Sequence, residues 1–268
     1  MPTRTFAATS LLLALVACSS STTPEVIVQN TDQASLKVSP AGVATLVFTD
    51  LETIRPDSLA SGASGSSCIS AFPLSVTSFK YTFNGCKSAN GGSMTGTVTV
   101  TTSGTGTVVD TAVYDVTVTE ATGTWHYTGT KITSINVAAK TATVAVPAGQ
   151  SFTVAYVNPT DAAKNKTWAY VPNLQADWSS ATATKFWGSY TFQQTLPLPA
   201  GDTLTATIPQ ATPLTWTSAC TYPVSGVLNL SLPPASAEIR FDTSITESGV
   251  QSGCGIATIN GYKLTLGQ

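Results

Sequence analysis

His126 is the only histidine in the chain, so any imidazole chemistry rests on it alone. It stands between Trp125 and Tyr127 in a segment of alternating polarity, which puts it on the face opposite those rings, toward solvent. The chain has no Gly-x-Ser-x-Gly elbow, no Gly-x-x-x-x-Gly-Lys phosphate loop and no Ser-x-x-Lys pair to supply an activated nucleophile or a phosphate cradle. Ser78 and Lys80, two apart on a strand, set a hydroxyl beside an amine as a Ser/Lys dyad would. Asp50 and Glu52 share a strand face and Asp57 follows in the next loop. Such a set offers oxygens to a hard cation such as calcium, but six to eight are needed and the Asp-x-Asp-x-Asp-Gly loop is missing. A solvated strand end is the plainer reading. No Cys-x-x-Cys pair and no second histidine stand ready for a transition metal, so no metal and no cofactor is expected. A carboxylate pair for glycoside hydrolysis can come from any distance in sequence, and nothing here selects one.

Aromatic residues are the other binding chemistry on offer. Trp168, Trp178, Trp187 and Trp216 are four of the five tryptophans, and Tyr170 and Tyr190 fall among them. Rings on a β scaffold either stack a glycan or cap an apolar ligand, or else fill the core of a domain short of other large side chains. Trp178, set in Asp177-Trp178-Ser179-Ser180, has no apolar sequence neighbours and is expected to be an exposed ring. Trp178, Trp168 and Tyr170 are the candidate ligand-binding residues.

Cysteine usage fixes the compartment. Arg4 is followed by an apolar run over residues 6–16, too short for a membrane-spanning helix of about 20 residues, and the run ends at Leu15-Val16-Ala17-Cys18. Small residues before a cysteine at that point resemble the lipobox of bacterial lipoproteins. The resemblance implies cleavage before Cys18, a lipid thioether on its sulfur and acylation of the new N-terminus. It also implies the cell envelope, with the outer membrane favoured because Ser19 rather than Asp follows. Cys68, Cys86, Cys220 and Cys254 remain, an even number that reads as two disulfides in an exported chain, with three connectivities open. Cys68 and Cys220 are each followed closely by an aromatic-proline pair, Phe72-Pro73 and Tyr222-Pro223, and Cys86 and Cys254 each follow a glycine. This echo favours Cys68–Cys86 and Cys220–Cys254.

Composition bounds what surrounds these groups. Charged residues make up 10% of the chain against a typical figure of about 25%, so Thr and Ser must cover the surface, and Thr favours strands. The formal net charge is −2, with no Lys or Arg cluster, so nucleic acid is not an expected partner. After Cys18 no apolar run reaches spanning length, which leaves the lipid as the expected membrane attachment.

The elements that must position all this read as strands. Residues 1–17 are the signal peptide and residues 18–25 a polar lipidated tether. A first strand is expected over residues 44–49, then one carrying Phe79, Tyr81 and Phe83 that ends at an Asn84-Gly85 turn. Period-2 alternation runs through residues 97–101, 114–119, 125–127, 132–137, 141–146 and 152–156, and the short loops between them enforce an antiparallel meander. Pattern breaks at Asn158, and an irregular stretch with one short helical turn at 161–164 is expected to about residue 183. This divides an N-terminal β-rich subdomain, 26–157, from a C-terminal one, 158–268. Asn260-Gly261 closes a last hairpin. The fold class is therefore all-β, antiparallel, as sandwich-like sheets or an open half-barrel tied by two disulfides. Residues 84–100 also resemble a pattern in secreted β-rich bacterial lipoproteins, a resemblance that carries no activity.

Three function classes follow. The first is a non-catalytic envelope lipoprotein with a structural or binding role; the ligand class offered is a glycan or an apolar molecule, and no protein partner is indicated. The second, a carrier of lipid in a half-barrel, resembles the lipoprotein carriers of bacterial envelopes. The third is a carboxylate-based hydrolase.

Overall fold

Where Thr or Ser alternates with an apolar residue, a strand buries one face and wets the other. That pattern dominates this chain. The structure, a computed structural model, describes residues 44, 47, 68–87, 92–194, 203–220, 222–244 and 254–263. The first half supplies β1 (Ile69–Pro73), β2 (Ser78–Lys87), β3 (Ser93–Ser103), β4 (Thr107–Glu120), β5 (Gly123–Asn136), β6 (Thr141–Ala145) and β7 (Phe152–Val157). A single 3₁₀ turn, Ala162–Lys164, leads to β8 (Lys166–Asp177), β9 (Thr184–Gln194), β10 (Thr203–Ile208) and β11 (Leu214–Trp216). The chain then runs through β12 (Gly226–Leu232), β13 (Ala235–Asp242), β14 (Ile256–Ile259) and β15 (Tyr262–Lys263). All are antiparallel and belong to one sheet whose order follows the sequence. Among the described residues, β1 pairs only with β2 and β15 only with β14. The sheet crosses Asn158 without a break, through the β7–β8 and β6–β8 ladders.

The inner face holds the core. Met94, Val98 and Val100 of β3 lie beside Ala112, Tyr114, Val116 and Val118 of β4, and the burial continues through Leu174, Tyr190, Ile208, Leu230 and Ile239. Threonines face out: Thr82, Thr97, Thr128 and Thr153 form one cross-strand row, with Asp115 as its one charged member. This row replaces charge with short β-branched side chains that favour a pleated surface.

Two strand positions are each filled in two pieces. β5 pairs with β7 over Thr124–Thr128 and with β6 over Ile132–Asn136, and β8 pairs with the same two strands. β9 likewise pairs with β10 and then β11. The two interrupted positions match at a constant offset: Thr141, Thr143, Pro147, Phe152 and Thr153 correspond to Thr203, Thr205, Pro209, Leu214 and Thr215. Both therefore interrupt the strand at a proline, which cannot donate to the ladder.

Three expectations are corrected. Ala44 and Val47 have helical backbone and are buried in the core cluster, so the strand expected over residues 44–49 does not form at these positions. Asn84-Gly85 is a bulge inside β2 rather than its end: Gly85 takes φ +69° and the register shifts between Asn84 and Cys86. Finally, β8 occupies the stretch expected to be irregular. Its Pro172 sits between Tyr170, paired with β7, and Asn173, paired with β6, where the ladder on that side is open.

The disulfides pair as the cysteine echo predicts, Cys68 with Cys86 and Cys220 with Cys254, at Cα separations of 5.1 and 5.6 Å. The lipobox cysteine Cys18 lies outside the described residues, as do Asp50, Glu52 and Asp57.

Candidate functional site

Strand pleating aims every second side chain of β4, β5, β7, β8 and β9 at the inner face, and on these strands many of those residues are rings. Tyr114 meets Phe152 edge-on, with centroids 5.2 Å apart, and Phe152 meets Tyr170 at 5.4 Å. Tyr170 in turn touches Tyr190 at 5.8 Å, and Tyr190 stacks on Phe192 at 5.4 Å. The result is an aromatic belt crossing the sheet from β4 to β9. Lys131 is buried within it, its Nζ 4.3 Å from the Phe152 ring, 5.4 Å from Tyr170 and 5.9 Å from Tyr114. Residues 129–131 are the stretch of β5 left between its β7 and β6 ladders, which is where Lys131 meets the belt. Ring quadrupoles solvate the ammonium there in place of water.

At the end of the belt nearer the β4–β5 turn, Trp125 and Trp168 lie almost parallel, 13° apart with centroids at 5.9 Å, and Tyr156 packs on Trp125 at 4.6 Å. The Tyr156 hydroxyl donates to the Thr122 carbonyl at 2.5 Å. Glu120 borders this cluster. Burial pushes its carboxyl up, opposed by the Trp125 indole N–H, which lies near without closing a hydrogen bond. Asp110 is the other inward carboxyl, 2% exposed. Thr102 donates to its Oδ1 at 2.5 Å and its Oδ2 has no partner. Burial raises the Asp110 carboxyl above its ordinary value, against the hydrogen bond from Thr102, and burial together with the Asp110 charge raises the nearby Tyr81 phenol.

The sequence-selected residues are scattered by this arrangement. Trp168 is half-buried in the indole pair and Tyr170 is buried in the belt. Trp178 follows the far end of β8, roughly 30 Å of strand away at about 3.3 Å per residue. It is half-buried and packed against the core rather than an exposed ring, with its backbone N–H donating to the Lys140 carbonyl at 3.0 Å. Ten residues thus separate Trp178 from Trp168 and eight from Tyr170, the two aromatics with which it was grouped. Beside it, Ser179 N–H donates to Asp177 Oδ1 at 2.7 Å, and this bond holds the Asp177 carboxyl below its ordinary range.

The nucleophile candidates are engaged elsewhere. Ser78 Oγ shares a 3.0 Å hydrogen bond with Thr101 Oγ1 across the β2–β3 ladder. His126 is on the outer face, as its alternation predicts, with Nε2 2.9 Å from Asp115 Oδ1 and both side chains open to solvent. Among the described residues, no three His, Cys, Asp or Glu side chains gather as a metal-binding group.

Sequence reading passed over Asp110, Glu120 and Lys131. The signal was present: extending the alternation of Tyr114, Val116 and Val118 in both directions puts Asp110 and Glu120 on the buried face, and extending that of Trp125 and Tyr127 does the same for Lys131. No family model, curated protein or solved structure matches the chain.

Proposed function

We propose that the chain is a non-catalytic lipoprotein of the bacterial cell envelope, held by a lipid on Cys18 and presenting its β-sheet as a structural or binding surface. The carrying observation is the apolar run closed by Leu15-Val16-Ala17-Cys18. The inner face supports a role without turnover, because its rings and the buried Lys131 ammonium contact each other in a packed belt. The outer face supports it as well: its one imidazole forms an exposed pair with Asp115 on an otherwise Thr-rich surface. Metabolic labelling with palmitate tests the reading. Wild type takes up label and the Cys18→Ala protein does not; an unlabelled wild type sinks the proposal.

A further inference from the structure

We propose that the β1–β2 hairpin tip is a membrane-contact element that seats in the headgroup and acyl boundary of a bilayer. Phe72, Leu74 and Val76 are 65%, 53% and 84% exposed within five consecutive residues. The other exposed large apolar side chains among the described residues, Val113, Val137, Val157 and Val171, stand singly. A cluster of this kind marks an interaction site. It lies on one hairpin turn beside the end of β3, where Thr102 N–H meets the Thr77 carbonyl, and three apolar side chains spread over a single turn suit a fluid apolar layer.

A tip seated at the headgroup boundary loses less on leaving water where its backbone groups are already hydrogen-bonded. Here Leu74 N–H and Ser75 N–H both donate to the Ser78 carbonyl, at 2.9 and 3.1 Å. Thr77 N–H donates to Ser75 Oγ at 3.2 Å, and the Thr77 carbonyl accepts from Thr102 N–H at 2.8 Å. Charge agrees with this reading. Residues 68–79 contain no ionisable side chain apart from the disulfide-bonded Cys68, and exposed Lys80 lies directly across the ladder from Phe72. It places one cation level with Phe72 and behind Leu74 and Val76, where an anionic headgroup would meet it.

The inference deepens the anchoring reading by giving the domain a second contact that orients it. The chain between Cys18 and the core-buried Ala44, at up to about 3.3 Å per residue, is long enough for the tip to reach the bilayer that holds the lipid. The contact itself does not need the lipid, and the test exploits this.

Full-length Cys18→Ala protein is sedimented with vesicles of phosphatidylethanolamine and phosphatidylglycerol. It is expected to partition onto them, and adding Leu74→Ser with Val76→Ser should lower the partition coefficient about tenfold or more, the effect of exposing two apolar side chains. Val157→Ser, a similarly exposed residue at the opposite end of the sheet, should leave partitioning unchanged. Circular dichroism and melting confirm that each variant is folded. No partitioning, or equal losses in tip and control variants, overturns the proposal. So does tip-dependent binding that appears only when envelope protein is added. An unlabelled wild type in the palmitate experiment removes the anchor and leaves the vesicle result standing.

Discussion

Two tryptophans separate surface from core. Trp216 is 1% exposed and packs edge-on against Phe186 at 5.4 Å, whereas Trp178 is half-buried at the rim. Trp216→Ala should cost about 3 to 5 kcal/mol, as emptied core indole sites do, and Trp178→Ala about 1 to 3 kcal/mol. Equilibrium denaturation ranks them, and equal losses would contradict the burial difference. Asp110 sets a pH dependence. Because burial raises its folded value above the ordinary one, the native state holds the proton where the unfolded chain has released it. Its contribution is therefore most favourable below the unfolded value and declines as pH rises through the folded one; Glu120 shifts in the same direction. Asp110→Asn keeps an oxygen for Thr102 to bond and removes the titration. It should be more stable than wild type near pH 7, with the difference shrinking toward pH 4. Denaturation midpoints across that range check this, and a difference independent of pH would clear Asp110 of the effect.

At the scale of elements, most strands could be read because Thr and apolar residues alternate without interruption, as in Thr97-Val98-Thr99-Val100-Thr101. β8 was hidden by Pro172, since a lone proline argues against a strand unless the neighbouring ladder is known to be split. The Asn84-Gly85 bulge was hidden for a related reason: the dipeptide needs the same left-handed backbone in a turn as in a bulge, and only the position of Cys68 decides which it makes. Lys131 and Asp110 escaped because charge is taken as a mark of the outer face, whereas here rings and a threonine hydroxyl receive it inside. The tip at Phe72 and Val76 could not be read either, since exposure of an apolar residue depends on what fails to cover it. A local prediction follows at Gly96. Its φ is +113°, and a Cβ there would run into the Asp115 carbonyl oxygen of β4. Gly96→Ala should cost about 1 to 3 kcal/mol with the fold retained, and a neutral result would mean the β3–β4 ladder can yield.

For the molecule as a whole, one sheet in sequence order means that each strand's dense backbone contacts are with its ladder neighbours. The cysteines bracket this series. Cys68–Cys86 ties the start of β1 to the bulged end of β2, and Cys220–Cys254 ties the β11–β12 connection to the segment entering β14. Each loop closure should contribute about 3 to 4 kcal/mol in the chain-entropy model.

Under mechanical load the same arrangement behaves as a zipper with a clasp near each end. Peeling a strand from the edge of a meander breaks hydrogen bonds a few at a time, so an unclasped sheet pulled from its termini should yield at low force, strand after strand. The disulfides remove the steps between their cysteines, β1 from β2 at one end and β12 from β13 at the other, and leave β14 and β15 outside the second clasp. In a single-molecule stretch, the oxidised protein should resist to a higher force and release less contour length. Adding reductant should restore the missing length as early, low-force events that Cys68→Ser and Cys220→Ser reproduce separately. Identical traces with and without reductant would show that the clasps carry no load.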